Sequence, residues 1–154
     1  MATEPQLTKV FNIAMYSMIK GMWDLFGDTA TSTVRTVGHR ILETLETQGN
    51  LTIQGDNPEA ILQEVARVLA EEVGTMAEGT VQVNGNQVSI ACRECFLREA
   101  TGWLEAEGIE PFACLPMNIA AAAMQKQLGL KHRLRGRTWD DPSQTCTIQF
   151  EIVS

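Results

Sequence analysis

The sequence predicts an α+β fold in which a four-stranded antiparallel sheet carries helices packed on one face. In the first half, apolar residues recur every three or four positions, the period of an amphipathic helix. In the second half, apolar and polar residues alternate over short segments, the period of a half-buried strand. A chain of 154 residues suffices for one ordinary core, so we expect a single domain over 1–154.

The first predicted helix has the most apolar pattern of the chain. One stripe of it is formed by Phe11, Met15, Met18, Met22 and Leu25. Flanking positions are also apolar, so this helix should be buried on more than one side. A partner subunit is one source of the extra contact, which makes the N-terminal helices available for dimerisation.

Two further helices are predicted before the first strand. The second follows the Gly27-Asp28 break and carries the apolar stripe Val34, Val37, Ile41 and Leu45. The third begins at Asn57, a favourable cap, with Pro58 in its first turn. We divide the chain accordingly into an N-terminal helical part, 1–55, and a core, 56–154.

The strands follow from residue 80 onward. Asn84-Gly85 between alternating apolar residues indicates a hairpin, since a tight turn requires positive φ. The second strand should place Val88, Ile90 and Cys92 on one face. Helical spacing then returns twice, in 95–107 and after Pro116.

Two more strands close the chain. In the first, His132 should face the core with its apolar neighbours. Its opposite face should carry the basic residues Lys131, Arg133, Arg135 and Arg137, either as a solvated surface or as a site for an anionic partner. In the last strand, Cys146 shares its face with Ile148, Phe150 and Ile152.

The cysteines are the candidate chemical centre. Cys92 and Cys146 both fall on apolar strand faces, so they should point into one layer, while Cys95 and Cys114 flank the helix predicted between them. Four thiolates suit zinc or a [4Fe-4S] cluster. Buried apolar cysteines and a redox dithiol are the alternatives.

Composition excludes several function classes. A net charge of −7 argues against nucleic-acid binding, which requires clustered basic residues. No apolar run approaches the roughly 20 residues of a membrane span, and no secretory leader is visible, so we expect a cytoplasmic protein. The common hydrolase, kinase and dinucleotide motifs are absent, which favours a binding protein over an enzyme.

A family likeness starts at the segment Val88-Ser89-Ile90-Ala91-Cys92. It continues through Glu110-Pro111-Phe112-Ala113-Cys114 and ends in the run from Asp140 through Cys146 to Phe150. Over about residues 60–153, this pattern resembles the 4-vinyl-reductase domain family. The resemblance implies a fold related to the trafficking-particle subunits and homodimers formed through the N-terminal helices.

The same resemblance implies a small hydrophobic ligand beside a cysteine-bound zinc, with Cys114 and Cys146 at two ligand positions. Arg135 and Thr138 stand where related sensors have Glu and Cys. We expect His132, Trp103 and Met124 to contact the ligand. Two other functions stay open: a tetrapyrrole carrier or reductase-associated protein of chlorophyll-precursor metabolism, and an assembly subunit that docks partners through its first helix.

Overall fold

The computed structural model describes residues 1–112 and 114–153, which contain five α-helices and four β-strands. The helices are α1 (Glu4–Phe26), α2 (Val34–Thr47), α3 (Pro58–Arg67), α4 (Arg98–Ala106) and α5 (Leu115–Leu128). The strands are β1 (Glu78–Asn84), β2 (Gln87–Arg93), β3 (Lys131–Asp140) and β4 (Thr145–Val153). A 3-10 segment follows α1, and a π-helical turn extends α3. The predicted α+β class is therefore confirmed.

The chain divides into two compact units. The first comprises residues 1–34 and 96–114, and the second comprises residues 35–95 and 115–154. Each unit thus joins segments that are distant in sequence. The single-domain extent of 1–154 stays a prediction.

The first unit is built from α1 and α4. Its core contains Ile19, Leu104, Ile109 and Phe112, all buried. Asn12 lies fully buried beside this core, and its amide donates to the carbonyl oxygens of Thr8 and Phe96.

One side of α1 remains exposed in this unit. The exposed large apolar side chains of the helix are Leu7, Val10, Phe11, Ile13, Met18, Leu25 and Phe26. The helix is therefore apolar on two sides but covered on one. No helix among the described residues has the length and apolar character of a membrane span.

The second unit contains the sheet, whose strand order is β1-β2-β4-β3 with every neighbour antiparallel. Helix α3 packs against β1 and α5, and α5 packs against β3. As predicted, Asn57 caps α3 by accepting a hydrogen bond from the Ala60 amide at 2.9 Å. The face of the sheet that carries Val88, Ile90, Ile148 and Phe150 is its buried inner face.

The buried side of helix α2 is not the side that carries its predicted apolar stripe. Gly38 and Leu42 are its buried residues. Backbone atoms of Asn118 on α5 lie so close to Gly38 that only a glycine fits there. Three residues of the stripe, Val37, Ile41 and Leu45, line an open hollow of about 600 Å³ together with Thr36, Arg40, Thr44, Gln48 and Gly49.

The predicted alternation of β3 is wrong at Arg137. A β-bulge interrupts the register, since Leu134 pairs with Phe150 while Gly136 pairs with Gln149. The extra residue, Arg135, shifts the following residues by one position. Arg137 therefore pairs with Ile148 and lies on the inner face, not with Lys131 and Arg133 on the outer one.

Candidate functional site

The inner face of the sheet is buried at its centre and half-buried along β3. Val88, Ile90, Ile148 and Phe150 are at most 3% exposed. The inward residues of β3, which we call the β3 strip, are all half-buried; they are His132, Leu134, Arg137 and Trp139. β3 is one of the two edge strands of the sheet; the inward residues of the other, β1, are Gly79, Val81 and Val83, which are also half-buried.

Two cysteines lie side by side at one end of this face. Cys92 on β2 and Cys146 on β4 are direct partners in the register, and Trp139 is the next residue across from Cys146. Directly opposed residues of antiparallel strands point to the same side of the sheet. The prediction that these cysteines share one layer is thus consistent with the register.

The hydrogen-bond pattern indicates the distance between the Cα atoms of this pair. The Glu94 amide donates to the Gln144 carbonyl at 2.8 Å, which makes those two residues a hydrogen-bonded pair. Such pairs alternate along antiparallel strands, so Cys92 and Cys146 form the next one, with Cα atoms about 5.5 Å apart. Cys92 is 1% exposed, whereas Cys146 is half-buried and lies on β4, next to the edge strand β3.

The other two cysteines lie outside the strands that carry this pair. Cys95 follows β2 after Glu94, whose positive φ turns the chain. Cys114 belongs to the first unit. Among residues 1–112 and 114–153, no three His, Cys, Asp or Glu side chains are grouped to hold a metal ion. The four-cysteine metal site stays a prediction.

His132 occupies the opposite end of the β3 strip. Its ring meets that of Phe150 edge-on, with centroids 5.8 Å apart. Burial, and secondarily the positive charge of Arg35 on α2, lowers the pKa of His132 below its usual value. The imidazole is therefore neutral at pH 7, a form that both donates and accepts a hydrogen bond.

The other two predicted ligand contacts lie elsewhere. Met124 is fully buried in α5 and contributes to the core of the second unit. Trp103 belongs to the first unit, where it is 39% exposed and meets the Tyr16 ring edge-on at 5.6 Å. Of the predicted ligand residues, only His132 lies on the β3 strip.

Sequence reasoning missed Arg137 and Trp139 as inner-face residues. The signal was present in Gly136, because an isolated glycine inside an alternating segment indicates a bulge. A second signal was the change of parity, since the apolar residues occupy even positions up to Leu134 and the odd position Trp139 afterwards.

Comparison with known protein families identifies one whose model matches most of the chain. Residues 11–154 match the family model described as the putative rubredoxin C-terminal domain. The chain belongs to this family. No curated protein sequence matched it. The resemblance of this family member to 4-vinyl-reductase domains stays a prediction.

A solved structure supports the fold. The phenol-responsive sensory domain of the transcription activator PoxR, solved with phenol, is similar with a TM-score of 0.56 and 14% identity, covering 91% of this chain and 73% of that one. A mutant of the T. tengcongensis H-NOX gives a TM-score of 0.47 and 11% identity, covering 84% of this chain and 66% of that one. At such identities, the first likeness concerns the fold alone.

Proposed function

We propose that this chain is a cytoplasmic small-molecule-binding domain whose ligand lies along the β3 strip. The observation that carries the proposal is that the half-buried inward residues of β3 include polar and aromatic side chains, whereas those of the other edge strand, β1, are Gly79, Val81 and Val83. Ligand sites combine apolar walls with a few polar groups, and the strip offers Leu134 and Trp139 beside His132 and Arg137. The phenol named for the PoxR domain makes an aromatic molecule a reasonable first probe.

Thermal unfolding with increasing phenol tests this proposal. A ligand that binds only the folded state raises the midpoint temperature progressively with its concentration. We expect that rise for the native chain and a reduced one after Leu134→Asp, which places a charge on the strip. Val73→Asp, at an exposed position of the π-helical turn after α3, is the matched control. An unchanged midpoint across phenol and related aromatic molecules would contradict the proposal.

The thiolate metal site remains a second, finer part of the proposal. Its support is that Cys92 and Cys146 are direct partners in the register and point to the same side of the sheet. Sulfur is a soft donor, so two cysteines placed in this way favour zinc or an iron-sulfur cluster over harder metals. Cys95, in the same unit, is the nearest candidate for a third donor by sequence. Cys114 is assayed separately as a member of the first unit.

Anaerobic purification followed by metal analysis and a visible spectrum tests this part. We expect stoichiometric zinc, or iron with a brown colour, that is lost in Cys92→Ser and Cys146→Ser. Loss also in Cys95→Ser or Cys114→Ser would identify the remaining donors. Four titratable thiols in metal-free protein would refute the metal site while leaving ligand binding to its own test.

A homodimer through α1 is favoured by a separate observation. Leu7, Phe11, Met18 and Leu25 are exposed and recur at helical spacing. A second copy supplies the same uncharged stripe, which a strongly charged partner would not match. Light scattering should show a dimer that Met18→Glu dissociates and Lys9→Glu, off the stripe, preserves. A monomeric native chain would exclude this assembly.

A further inference from the structure

Cys92 and Cys146 lie across from each other near the ends of their strands. Cys92 is the last residue but one of β2, and Cys146 is the second residue of β4. Both are in the thiol form in the structure. Their Cα atoms, about 5.5 Å apart as members of a hydrogen-bonded pair, lie within the range of about 4.4–6.8 Å over which a disulfide joins two residues.

A second contact confirms that the two cysteines form a hydrogen-bonded pair. At the far end of the same strands, the Ile152 amide donates to the Asn86 carbonyl at 2.7 Å, and steps of two residues from Asn86 lead to Cys92. The Cβ atoms of such a pair are about 5.5 Å apart, the wide end of the cross-strand range, whereas a disulfide holds its Cβ atoms about 3.8 Å apart. A bond at this position must draw the strands together, and a strained disulfide is easily reduced.

The backbone is strained next to the pair on both strands. Glu94 and Gln144 adopt φ values of 54° and 52°, in a region that residues other than glycine rarely occupy. The Glu94 amide donates to the Gln144 carbonyl at 2.8 Å, so the two strained residues are joined to each other. Each lies two residues from one of the cysteines. Residues in such conformations concentrate at functional sites.

The two sulfur atoms differ in their access to solvent. Cys92 is 1% exposed, and its neighbour on β1 is Gly79. The space over Gly79 is filled, since a Cβ there would lie 2.8 Å from the Cβ of Ala66 and 3.2 Å from the sulfur of Met76. Cys146 is half-buried. A reagent in solution therefore meets Cys146 first.

We propose that Cys92 and Cys146 form a reversible disulfide, in which Cys146 reacts first and Cys92 completes the bond. The oxidant is a small disulfide of the glutathione type. This modification site goes beyond the proposed function, because it requires neither an aromatic ligand nor a bound metal.

The reaction is two successive thiol–disulfide exchanges. The Cys146 thiolate attacks one sulfur of oxidised glutathione, which releases one glutathione thiol and leaves a mixed disulfide on Cys146. The Cys92 thiolate then attacks the Cys146 sulfur and releases the second glutathione. Two electrons and two protons pass from the protein thiols to glutathione. An excess of reduced glutathione reverses both steps.

Trypsin allows a direct test, because its cleavage sites place the four cysteines on separate peptides, 68–93, 94–98, 99–126 and 138–154. The native chain is incubated with oxidised glutathione and with EDTA, which removes any metal from the thiols. The remaining thiols are alkylated, and the digest is analysed by mass spectrometry. We expect 68–93 to be joined to 138–154, and we expect this linkage to be lost after addition of excess reduced glutathione.

Serine variants test the order of the two steps. Cys92→Ser should retain glutathione on Cys146, since the second thiolate is missing. Cys146→Ser should lose both the linkage and that adduct. Cys95→Ser and Cys114→Ser are the matched controls and should form the same linkage as the native chain.

The peptide map of the native chain decides the proposal by itself should a variant not fold. Alkylation of both Cys92 and Cys146 after oxidation would overturn it. Linkage of either peptide mainly to 94–98 or 99–126 would also overturn it, because another pair would then be the reactive one. A linkage that excess reduced glutathione leaves intact would contradict its reversibility. Zinc and iron are measured on a separate anaerobic sample, so failure of the metal site and failure of the disulfide are distinguished.

Discussion

Asn12 on α1 accepts a hydrogen bond of 2.9 Å from the backbone amide of Ala100, in the first turn of α4. Its side-chain amide also donates to the Phe96 carbonyl at 2.7 Å. Amides in the first turn of a helix lack partners within the helix. A side chain from a distant segment thus performs the capping that Leu97, at the N-cap position, does not provide.

Asn12→Ala should lower the free energy of unfolding by about 2–4 kcal/mol, because it leaves buried backbone groups without partners. Urea denaturation measures the effect. Asn12→Asp keeps the acceptor but removes the donors, and should also destabilise. Ser17→Ala, at an exposed position of the same helix, should change stability by less than about 0.5 kcal/mol. Similar losses in Ser17→Ala and Asn12→Ala would contradict the capping role.

Two helical glycines should respond oppositely to alanine. A Cβ at Gly38 would lie 2.6 Å from the Asn118 carbonyl oxygen, whereas a Cβ at Gly21 would meet nothing within 4 Å. Gly38→Ala should therefore destabilise by about 1–3 kcal/mol through overpacking. Gly21→Ala should stabilise by up to about 1 kcal/mol, the helix-propensity difference. Thermal unfolding of both variants tests this, and a stabilising Gly38→Ala would argue against the close approach of α2 and α5.

The sequence predicted regular features of this fold well because each rests on a local rule. Alternation marked the strands, the Asn84-Gly85 turn marked a hairpin, and the parity of Cys92 and Cys146 anticipated their opposition. Asn12 could not be foreseen, since a polar residue gives no sign of being buried until its distant partners are known.

The exposure of some apolar residues could not be predicted from the sequence either. Met18 and Val37 belong to apolar stripes, yet both are exposed in the structure. Periodicity identifies which residues share a side of a helix but does not say what covers that side. Similarly, alternation predicts the wrong face for Arg137, because the bulge before it shifts the following residues by one position.

The bulge leads to a prediction about deletions. Removing Arg135 leaves Gly136 opposite Gln149 and Arg137 opposite Ile148, so the remaining register is unchanged. The deletion should fold, at a cost of about 1 kcal/mol or less from the exposed ion pair with Glu151. Removing Gln149 from β4 should prevent folding, because a shift of one residue turns buried side chains outward.

Circular dichroism and urea denaturation of the two deletions make the comparison. A cooperative transition in the Arg135 deletion and its absence in the Gln149 deletion are the expected results. Equal disruption by both would mean that Arg135 is not the extra residue of β3.

His132 should make stability depend on pH. Because its pKa is lowered in the folded protein, mainly by burial and then by Arg35, the unfolded chain binds a proton more readily than the folded one. The contribution of neutral His132 is complete above about pH 6.5, the ordinary pKa of histidine. As pH falls below that value, the unfolded state is protonated first, and the free energy of unfolding decreases until the folded pKa is passed.

Urea denaturation between pH 7.5 and pH 5 measures this decrease in the native chain and in His132→Gln. Because every other titrating group is present in both proteins, the difference between the two pH profiles is the contribution of His132. Arg35→Gln should raise the pKa of His132 toward its ordinary value and make the decrease smaller, which NMR titration of the imidazole can follow directly. His132→Gln with the same pH dependence as the native chain would show that another group is responsible.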